Sequence, residues 1–429
     1  MAARYLKNPF PDELPPALSA DELWERVCPL LRELDGCARH QAVPRSTGQH
    51  ERNYSIYTGL GGVAVAFLRV GLHCRDVRGD ADAATAAAGW LQRAHALAVV
   101  CAVSAGREER CVSFYCGTAG MLAVACVAAH ALGHARSRAE HLRALLALAP
   151  GAETHAEDEI LFGKAGWMYC LQFIQRSLGD GVDEWTARKI ESSLQRTGEA
   201  LVARGREVAR ERGLDRKGWP LMWECFGDLY LGAAHGAVGC LASLYRSFAL
   251  LSPASREAVD ATLVALLATR HASGNLPIKL GSRRDEHIHW CHGAPGLPTL
   301  FHAAAEARGD EDGALRAAAE RATEQVWERG LLLKGLSLCH GLAGNAYAFL
   351  ALARWTRDDV QLARAHAFAS MMRDERYLQL IAQQHDPQRR VRGVPDSPAS
   401  LMEGTAGVVC FLLDLARGSD AAGFPGWDL

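Results

Sequence analysis

Gly341-Leu342-Ala343-Gly344-Asn345-Ala346-Tyr347-Ala348-Phe349-Leu350 contains the unit that decides the fold: two glycines three residues apart, followed by an apolar run. The same Gly-x-x-Gly pattern, with small or apolar residues after it, begins at Gly59, Gly117, Gly163, Gly236, Gly293, Gly341 and Gly404. The intervals between copies range from 46 to 73 residues and average near 58. One copy carries no information, but seven at such spacing indicate a structural repeat.

Each apolar run predicts a helix that is buried on most of its faces, as in Val63 to Leu68 and Met121 to Ala125. Amphipathic segments lie between these runs and predict outer helices with one apolar stripe, for example Leu315, Ala318, Ala322 and Val326. Alanine is abundant and β-branched alternation is scarce. Seven helix pairs without distinct capping repeats predict an all-α protein, a closed (α/α)7 toroid of seven inner and seven outer helices.

The repeats predict one domain over residues 1–429, in which residues 1–50 form an N-terminal arm and the first outer helix. If the glycines begin the inner helices, they ring one end of the barrel. The residues before them then converge at that end: Thr58, Cys116, Phe162, His235, His292, His340 and Glu403. We therefore expect the active site at this end.

The bulk composition excludes several classes of protein. A formal charge of −2 over 429 residues gives no electrostatic case for nucleic acid or acidic lipid as the main partner. The N-terminus has no apolar signal segment, Ala2 excludes N-myristoylation, and the longest apolar run, about Met121 to Ala131, is too short to span a membrane. Thirteen cysteines in irregular spacing favour reduced thiols in a cytoplasmic protein. Peripheral membrane association stays open, although no anchor supports it.

Two cysteine motifs predict a metal centre. Trp290-Cys291-His292-Gly293 and Leu338-Cys339-His340-Gly341 lie 48 residues apart. Cysteine and histidine are preferred zinc ligands, and three protein ligands with an open fourth position are typical of catalytic zinc. The candidates are Cys291, Cys339 and His340, with His292 as a competitor. The alternative is that both cysteines are small core residues.

These motifs resemble those of the eukaryotic LanC-like proteins, which are relatives of the bacterial lantibiotic cyclases. The resemblance covers nearly the whole chain and includes Tyr57-Thr58-Gly59, Gly232-Ala233-Ala234-His235-Gly236 and Leu401-Met402-Glu403-Gly404. It implies a double ring of helices with one zinc ion, held by Cys291, Cys339 and His340 at one end of the barrel. It also implies glutathione as co-substrate, whose thiol is added to dehydroalanine or dehydrobutyrine in proteins or peptides.

Such an addition needs a proton donor, because attack on the β-carbon leaves an enolate that must be protonated at its α-carbon. Histidine suits that step, and His235 is the candidate. Its alternative role is that of a histidine bonded to loop carbonyls. Glu159, four residues before Gly163, stands where cyclases carry an acid near the catalytic histidine. It could orient His235, or it could be an exposed carboxylate at a helix start.

The resemblance also implies cationic anchors for the two carboxylates of glutathione. Lys334, five residues before Cys339, and Arg4 stand at positions where relatives contact glutathione or fold over the site, although either is by default a solvated surface residue. Arg392 and Asp396 complete the expected glutathione-binding set.

Two positions depart from the family pattern. Relatives carry Arg-Thr-Pro-Asp where this chain reads Arg392-Gly393-Val394-Pro395-Asp396, so that aligning the Pro-Asp pair puts Gly393 at the arginine position. His287 stands where bacterial cyclases carry a catalytic arginine, which disfavours peptide cyclisation.

Three functions fit these observations unequally. The leading hypothesis is a zinc-dependent glutathione transferase that forms thioethers. The second is a non-catalytic zinc- and glutathione-binding signalling or adaptor module. An α/α-barrel glycosidase is weaker, because no acidic pair stands out from the helix surfaces.

Overall fold

The computed structural model describes residues 4–10, 14–42, 53–78, 81–105, 111–384 and 397–429. The outer helices are α1 (Ala20–Ala42), α3 (Ala81–Ala105), α5 (Ala135–Ala147), α8 (Glu184–Glu211), α10 (Pro253–Thr269), α12 (Ala314–Arg329) and α14 (Asp359–Met371). The inner helices are α2 (Leu60–His73), α4 (Thr118–Ala131), α7 (Lys164–Leu178), α9 (Ala237–Arg246), α11 (Leu297–Arg308), α13 (Leu342–Thr356) and α16 (Thr405–Arg417). The short helices α6 (Ala149–Glu153) and α15 (Glu375–Gln384) complete the set within these ranges.

The inner helices form a closed ring. Each contacts the next one along the chain, and the last, α16, contacts the first, α2. Within the described ranges the chain forms three isolated β-bridges and no strand. The predicted all-α toroid of seven inner and seven outer helices is therefore confirmed.

The repeated glycine pair has a steric cause. A side chain on the second glycine would strike the carbonyl oxygen of the residue six positions earlier, where the loop folds back over the first turn of the helix. A Cβ on Gly120 would lie 1.8 Å from the Phe114 oxygen, and one on Gly344 would lie 1.7 Å from the Leu338 oxygen. Only glycine permits so close an approach of backbone to backbone.

The fifth repeat departs from this geometry. Gly293 has a φ of +121°, which favours glycine, and a short 3-10 turn over Ala294–Gly296 precedes α11. A Cβ on Gly296 would stand 3.5 Å from the Trp290 oxygen, an ordinary contact. The irregular backbone thus lies directly beside Cys291.

A chain of backbone hydrogen bonds links the loops at the N-terminal end of the inner helices, which we call the mouth. The residue two positions before the first glycine donates its N–H to the carbonyl of the equivalent residue in the neighbouring repeat. The bonds run from Cys291 to Cys339 (3.2 Å), Cys339 to Met402 (2.8 Å), Met402 to Tyr57 (3.0 Å) and Tyr57 to Tyr115 (3.1 Å). This register places the two cysteines side by side.

The C-terminal segment 418–429 fills the barrel beneath the mouth. Tyr115 Oη donates to the Pro425 carbonyl at 2.8 Å, and the Trp290 ring stacks on Phe424 at a centroid distance of 4.8 Å. Because Trp290 precedes Cys291 and is almost fully buried, this packing supports the cysteine loop from below.

The outer helices bury the predicted stripe. Leu315, Ala318, Ala322 and Val326 of α12 are all buried. The apolar part of helix α3 is longer than the longest apolar run predicted from the sequence. Its residues Ala83–Ser104 have a mean hydropathy of 1.3 and enough length to cross a membrane. That outer helix packs against the inner helices α2 and α4, and 39% of the apolar window is buried. The thirteen cysteines, all within the described ranges, stand outside disulfide bonds.

Candidate metal centre and acid–histidine pair

Three of the predicted ligands meet at the mouth. The donor atoms of Cys291, Cys339 and His340 all lie within 4.8 Å of one another, and we call these residues the thiol cluster. Both cysteines are buried and His340 is half-buried. His292, the competing ligand, is outside this group because its ring faces Tyr230 and His235 instead.

Hydrogen bonds shift the pKa values of the two cysteine thiols in opposite directions. Bonds from Cys291, His340 and Tyr57 hold the pKa of the Cys339 thiol well below its usual range, against the effect of burial. The bond that Cys291 donates to Cys339, together with burial, raises the pKa of Cys291 well above its usual range. The geometry therefore favours a thiolate at Cys339 before any metal binds.

Tyr57 is a site residue that the sequence reasoning missed. Its Oη donates to Cys339 Sγ at 2.9 Å. Tyr57 stands two positions before Gly59, the position that Cys291 and Cys339 hold in their own repeats. An alignment of the repeats on their first glycine would have found it.

A second group lies at the same mouth. Glu159, Cys225 and His235 have donor atoms within 4.8 Å of one another, and we call these residues the acid–histidine cluster. Glu159 Oε2 lies 3.6 Å from His235 Nδ1, so the two residues predicted to cooperate are adjacent. The alternative of an exposed helix-start carboxylate is wrong, since Glu159 is only 1% exposed.

The Glu159 carboxylate is held by its own loop. It accepts hydrogen bonds from the backbone N–H groups of Leu161 at 2.7 Å and Phe162 at 2.9 Å. Burial raises the pKa of Glu159, and the neighbouring His235 together with these two backbone N–H groups opposes that rise. A buried carboxylate beside a histidine fixes the ring orientation and stabilises the imidazolium.

Cys225 is the third member of this cluster and was not predicted. It begins a tight turn in which Cys225 and Asp228 exchange two backbone hydrogen bonds of 3.0 Å. Phe226 and Gly227 between them have φ values of +50° and +77°. Burial and the charges of Glu159 and Glu157 raise the pKa of the Cys225 thiol to about 12. No repeat or spacing in the sequence marks this residue.

Aromatic rings connect the two clusters. The His292 ring lies 6.2 Å from that of His235 and 5.4 Å from that of Tyr230, while Phe162 and Phe226 pack on the other sides of His235. Burial lowers the pKa of His292 to about 4, so it is neutral at physiological pH. The two clusters thus share one mouth lined by uncharged rings.

Two of the four predicted glutathione anchors, Arg4 and Lys334, lie close to each other. The Arg4 carbonyl accepts from Leu333 N at 3.1 Å, one residue before the exposed Lys334. The Arg4 guanidinium pairs with Glu286 at 2.9 Å and contacts His287 Nε2 at 3.2 Å. The charge of Lys334 helps to lower the pKa of His289, after burial itself. Arg392 and Asp396 lie outside the described residues.

A cavity of about 1000 Å³ lies at the opposite end of the barrel, among the C-terminal ends of the inner helices. Arg176, Arg246 and Arg354 line it, and none of the site residues named above does. This cavity is therefore separate from both clusters.

Comparison with known proteins identifies the family. Residues 50–429 match the lanthionine synthetase C-like proteins. The chain is 31% identical to the Danio rerio protein named glutathione S-transferase LANCL1, with 96% of each chain covered. It is 32% identical to the Arabidopsis thaliana LanC-like protein GCL1, over 87% of this chain and 81% of that one.

A solved structure shares the architecture. Nisin cyclase superimposes with a TM-score of 0.58 over 92% of this chain and 94% of its own, at 15% sequence identity. At that identity the likeness concerns the fold. The glycine repeats, the paired cysteine motifs and these matches together show that the chain belongs to the LanC-like family.

Proposed function

We propose that this protein is a zinc-dependent glutathione transferase that adds the glutathione thiolate to dehydroalanine or dehydrobutyrine residues in proteins or peptides. One observation carries the proposal: a thiol-rich cluster suited to zinc and a buried carboxylate–histidine pair lie at the same mouth. The relative named glutathione S-transferase, similar along almost its entire length, supports the choice of thiol.

The donor set fits zinc. Two thiols and one imidazole with closely spaced donor atoms match the ligand types of zinc sites that keep a fourth position for water or substrate. Tyr57 and the neighbouring backbone supply the outer contacts that orient such ligands. When bound there, zinc lowers the pKa of a coordinated thiol, so that the thiol is ionised at neutral pH.

The protein's own residues then complete the addition. The glutathione sulfur forms a bond to the β-carbon, and the π electron pair of the alkene moves into an enolate. His235 gives its proton to the α-carbon, and the ring regains a proton from solvent. Glu159 stabilises the imidazolium and fixes the ring orientation. The net reaction is addition of the S–H bond across the double bond.

The edge formed by Lys334 and Arg4 suits the carboxylates of glutathione, since both side chains are cationic. Arg4 is already paired with Glu286, so Lys334 is the stronger anchor of the two. We place Arg392 and Asp396 with them on the family resemblance. We also place the reaction in the reducing cytoplasm, because the proposed cysteine ligands must stay unoxidised. We propose that the whole chain forms one domain.

The test is a peptide that contains one dehydroalanine, incubated with glutathione and the zinc-loaded protein. We expect a product heavier by one glutathione, formed by the wild type and lost in Cys339→Ala. The absence of product with the correctly folded, zinc-loaded wild type would contradict the proposal.

A non-catalytic zinc- and glutathione-binding adaptor is the second candidate. The observation that favours it is Gly393, which stands where relatives carry a glutathione-binding arginine. Isothermal calorimetry beside the peptide assay separates the two functions. Tight glutathione binding without product supports the adaptor.

A further inference from the structure

The donor atoms of the acid–histidine cluster are spaced closely enough to share one metal ion. His235 Nδ1 lies 3.6 Å from Glu159 Oε2 and 3.8 Å from Cys225 Sγ. A well-formed N–H···O bond measures about 2.7–3.2 Å. Pairs of nitrogen, oxygen and sulfur ligands around a tetrahedral zinc ion stand about 3.3–3.6 Å apart, given their bond lengths to the metal. The nitrogen–oxygen distance exceeds this hydrogen-bond range, and the nitrogen–sulfur distance is that of a long hydrogen bond to sulfur; both lie within a few tenths of an ångström of the ligand spacing.

Each of the three side chains is held in place by a different element. Glu159 is fixed by the backbone N–H groups of Leu161 and Phe162. Cys225 is fixed by the backbone bonds of its tight turn, in which Phe226 adopts a left-handed conformation that is unfavourable for a residue with a Cβ. His235 directly precedes Gly236, the N-cap of α9. The group is therefore preorganised by the scaffold.

The charge of the group matches a divalent cation. A Cys225 thiolate and a Glu159 carboxylate supply two negative charges, and His235 supplies a neutral nitrogen. Phe162, Phe226 and Tyr230 surround the histidine with aromatic rings, the kind of outer shell that limits solvent access to a metal. The His235 side chain is 21% exposed, which leaves an approach for an ion and for a water ligand.

We propose that Glu159, Cys225 and His235 form a second divalent-metal site, which takes zinc or a similar borderline ion more weakly and more reversibly than the thiol cluster. Binding releases the Cys225 thiol proton to solvent and forms one metal–sulfur, one metal–oxygen and one metal–nitrogen bond. The site is weaker because it has one sulfur ligand instead of two. While it is occupied, His235 is a ligand and does not give a proton, so excess metal stops the transferase. This inhibition rests on the proposed function, whereas the binding does not.

The binding test uses Co²⁺ titrated into the full-length protein that already carries one zinc ion. A Cys225–Co²⁺ bond produces a sulfur-to-metal charge-transfer band in the near ultraviolet. Metal analysis after desalting confirms that the zinc has not been displaced. We expect one further Co²⁺ per chain in the wild type, and an affinity lower by roughly 100-fold or more in Cys225→Ser and His235→Gln.

Cys116→Ser is the matched control, because Cys116 is a half-buried thiol at the same mouth and lies outside the cluster. Its band should equal that of the wild type. Cys225→Ala is the second variant if the serine variant unfolds, and circular dichroism checks the fold of each. The proposal is overturned if no second equivalent binds, or if the band and the affinity persist in Cys225→Ser.

An activity measurement separates the proposed second metal site from the proposed transferase function. Thioether formation is followed against added Zn²⁺, with each variant normalised to its own rate at one zinc per chain. We expect the half-inhibitory concentration to rise at least about tenfold in Cys225→Ser. A second ion that binds to a protein without transferase activity contradicts only the proposed function. A transferase that binds no second ion contradicts only the second site.

Discussion

The thiol cluster and the acid–histidine cluster share a mouth and a similar set of side chains, yet they are assembled differently. Cys291 and Cys339 occupy equivalent positions in adjacent repeats, and one backbone bond of the mouth joins them. Glu159 and His235 come from two helix starts, while Cys225 comes from a separate tight turn. The repeat thus builds the thiol cluster, and a separate tight turn completes the other.

The two clusters also differ in where their protons lie. Hydrogen bonds lower the pKa of Cys339, whereas burial raises the pKa of Cys225 to about 12. In the proposed function the thiol cluster holds zinc and the acid–histidine cluster transfers the proton; in the proposed second site the acid–histidine cluster also takes a metal reversibly. Each test variant below changes one of the two clusters and leaves the other intact.

The largest effect is expected from Cys339→Ala. Loss of one of two thiol ligands should remove stoichiometric zinc and bring thioether formation down to the uncatalysed rate. Metal analysis and the dehydroalanine-peptide assay measure both. Cys101→Ala, in which a buried thiol of the outer helix α3 is changed, should keep zinc and activity. A zinc-loaded, active Cys339→Ala protein would refute the role of the thiol cluster.

His235→Gln should separate the clusters. Removal of the proton donor is expected to slow thioether formation by about 10²–10⁴-fold, while zinc at the thiol cluster stays at one per chain. The measurement is the single-turnover rate beside metal analysis. If the rate is unchanged, or if zinc is lost together with activity, the division of labour between the clusters is wrong.

Tyr57→Phe tests the outer contact of the thiol cluster. Loss of the Oη–Sγ bond of 2.9 Å removes a donor to the Cys339 thiolate, and zinc affinity should fall by about 10-fold. Competition with a chromogenic chelator measures it. Tyr54→Phe, a nearby ring change without that bond, should match the wild type. Equal affinities in all three proteins would show that the bond does not tune the site.

Glu159→Gln should give the smallest effect, on stability. Burial raises the pKa of Glu159 in the folded protein above its ordinary value of 4.5. The favourable contribution of Glu159 to the free energy of unfolding is therefore complete below pH 4.5 and is lost as the pH rises through the folded pKa. Glutamine does not ionise. The Tm difference, variant minus wild type, should therefore increase between about pH 4.5 and 7, by on the order of 1 °C.

The sign of that trend is the test, because the amide also loses one backbone hydrogen bond at every pH. Calorimetry at one zinc per chain measures it, and Glu157→Gln, an exposed neighbour, is the control. A difference that stays flat or decreases with pH contradicts a buried carboxylate that is costly to ionise.

The sequence was most informative where geometry repeats. The Gly-x-x-Gly copies predicted the ring, because in every repeat but the fifth the second glycine lies too close to a carbonyl oxygen for any other residue. The positions of Cys291, Cys339 and His340 follow from that repeat. Cys225 could not be predicted, since its place depends on a left-handed turn and on a contact with a loop 66 residues earlier in the chain, at Glu159. The burial of Glu159 was also undecided, because a helix-start acid is exposed or buried according to its tertiary neighbours.

Zinc K-edge X-ray absorption, with and without glutathione, tests the central claim most directly. We expect one zinc ion with two sulfur ligands and with nitrogen or oxygen ligands in its other coordination positions. When glutathione is added, we expect a third sulfur ligand. A sample of Cys339→Ala prepared in the same way should hold no zinc at this site. A sulfur count that does not change with glutathione would contradict the claim that the thiol cluster binds a metal that activates the glutathione thiol.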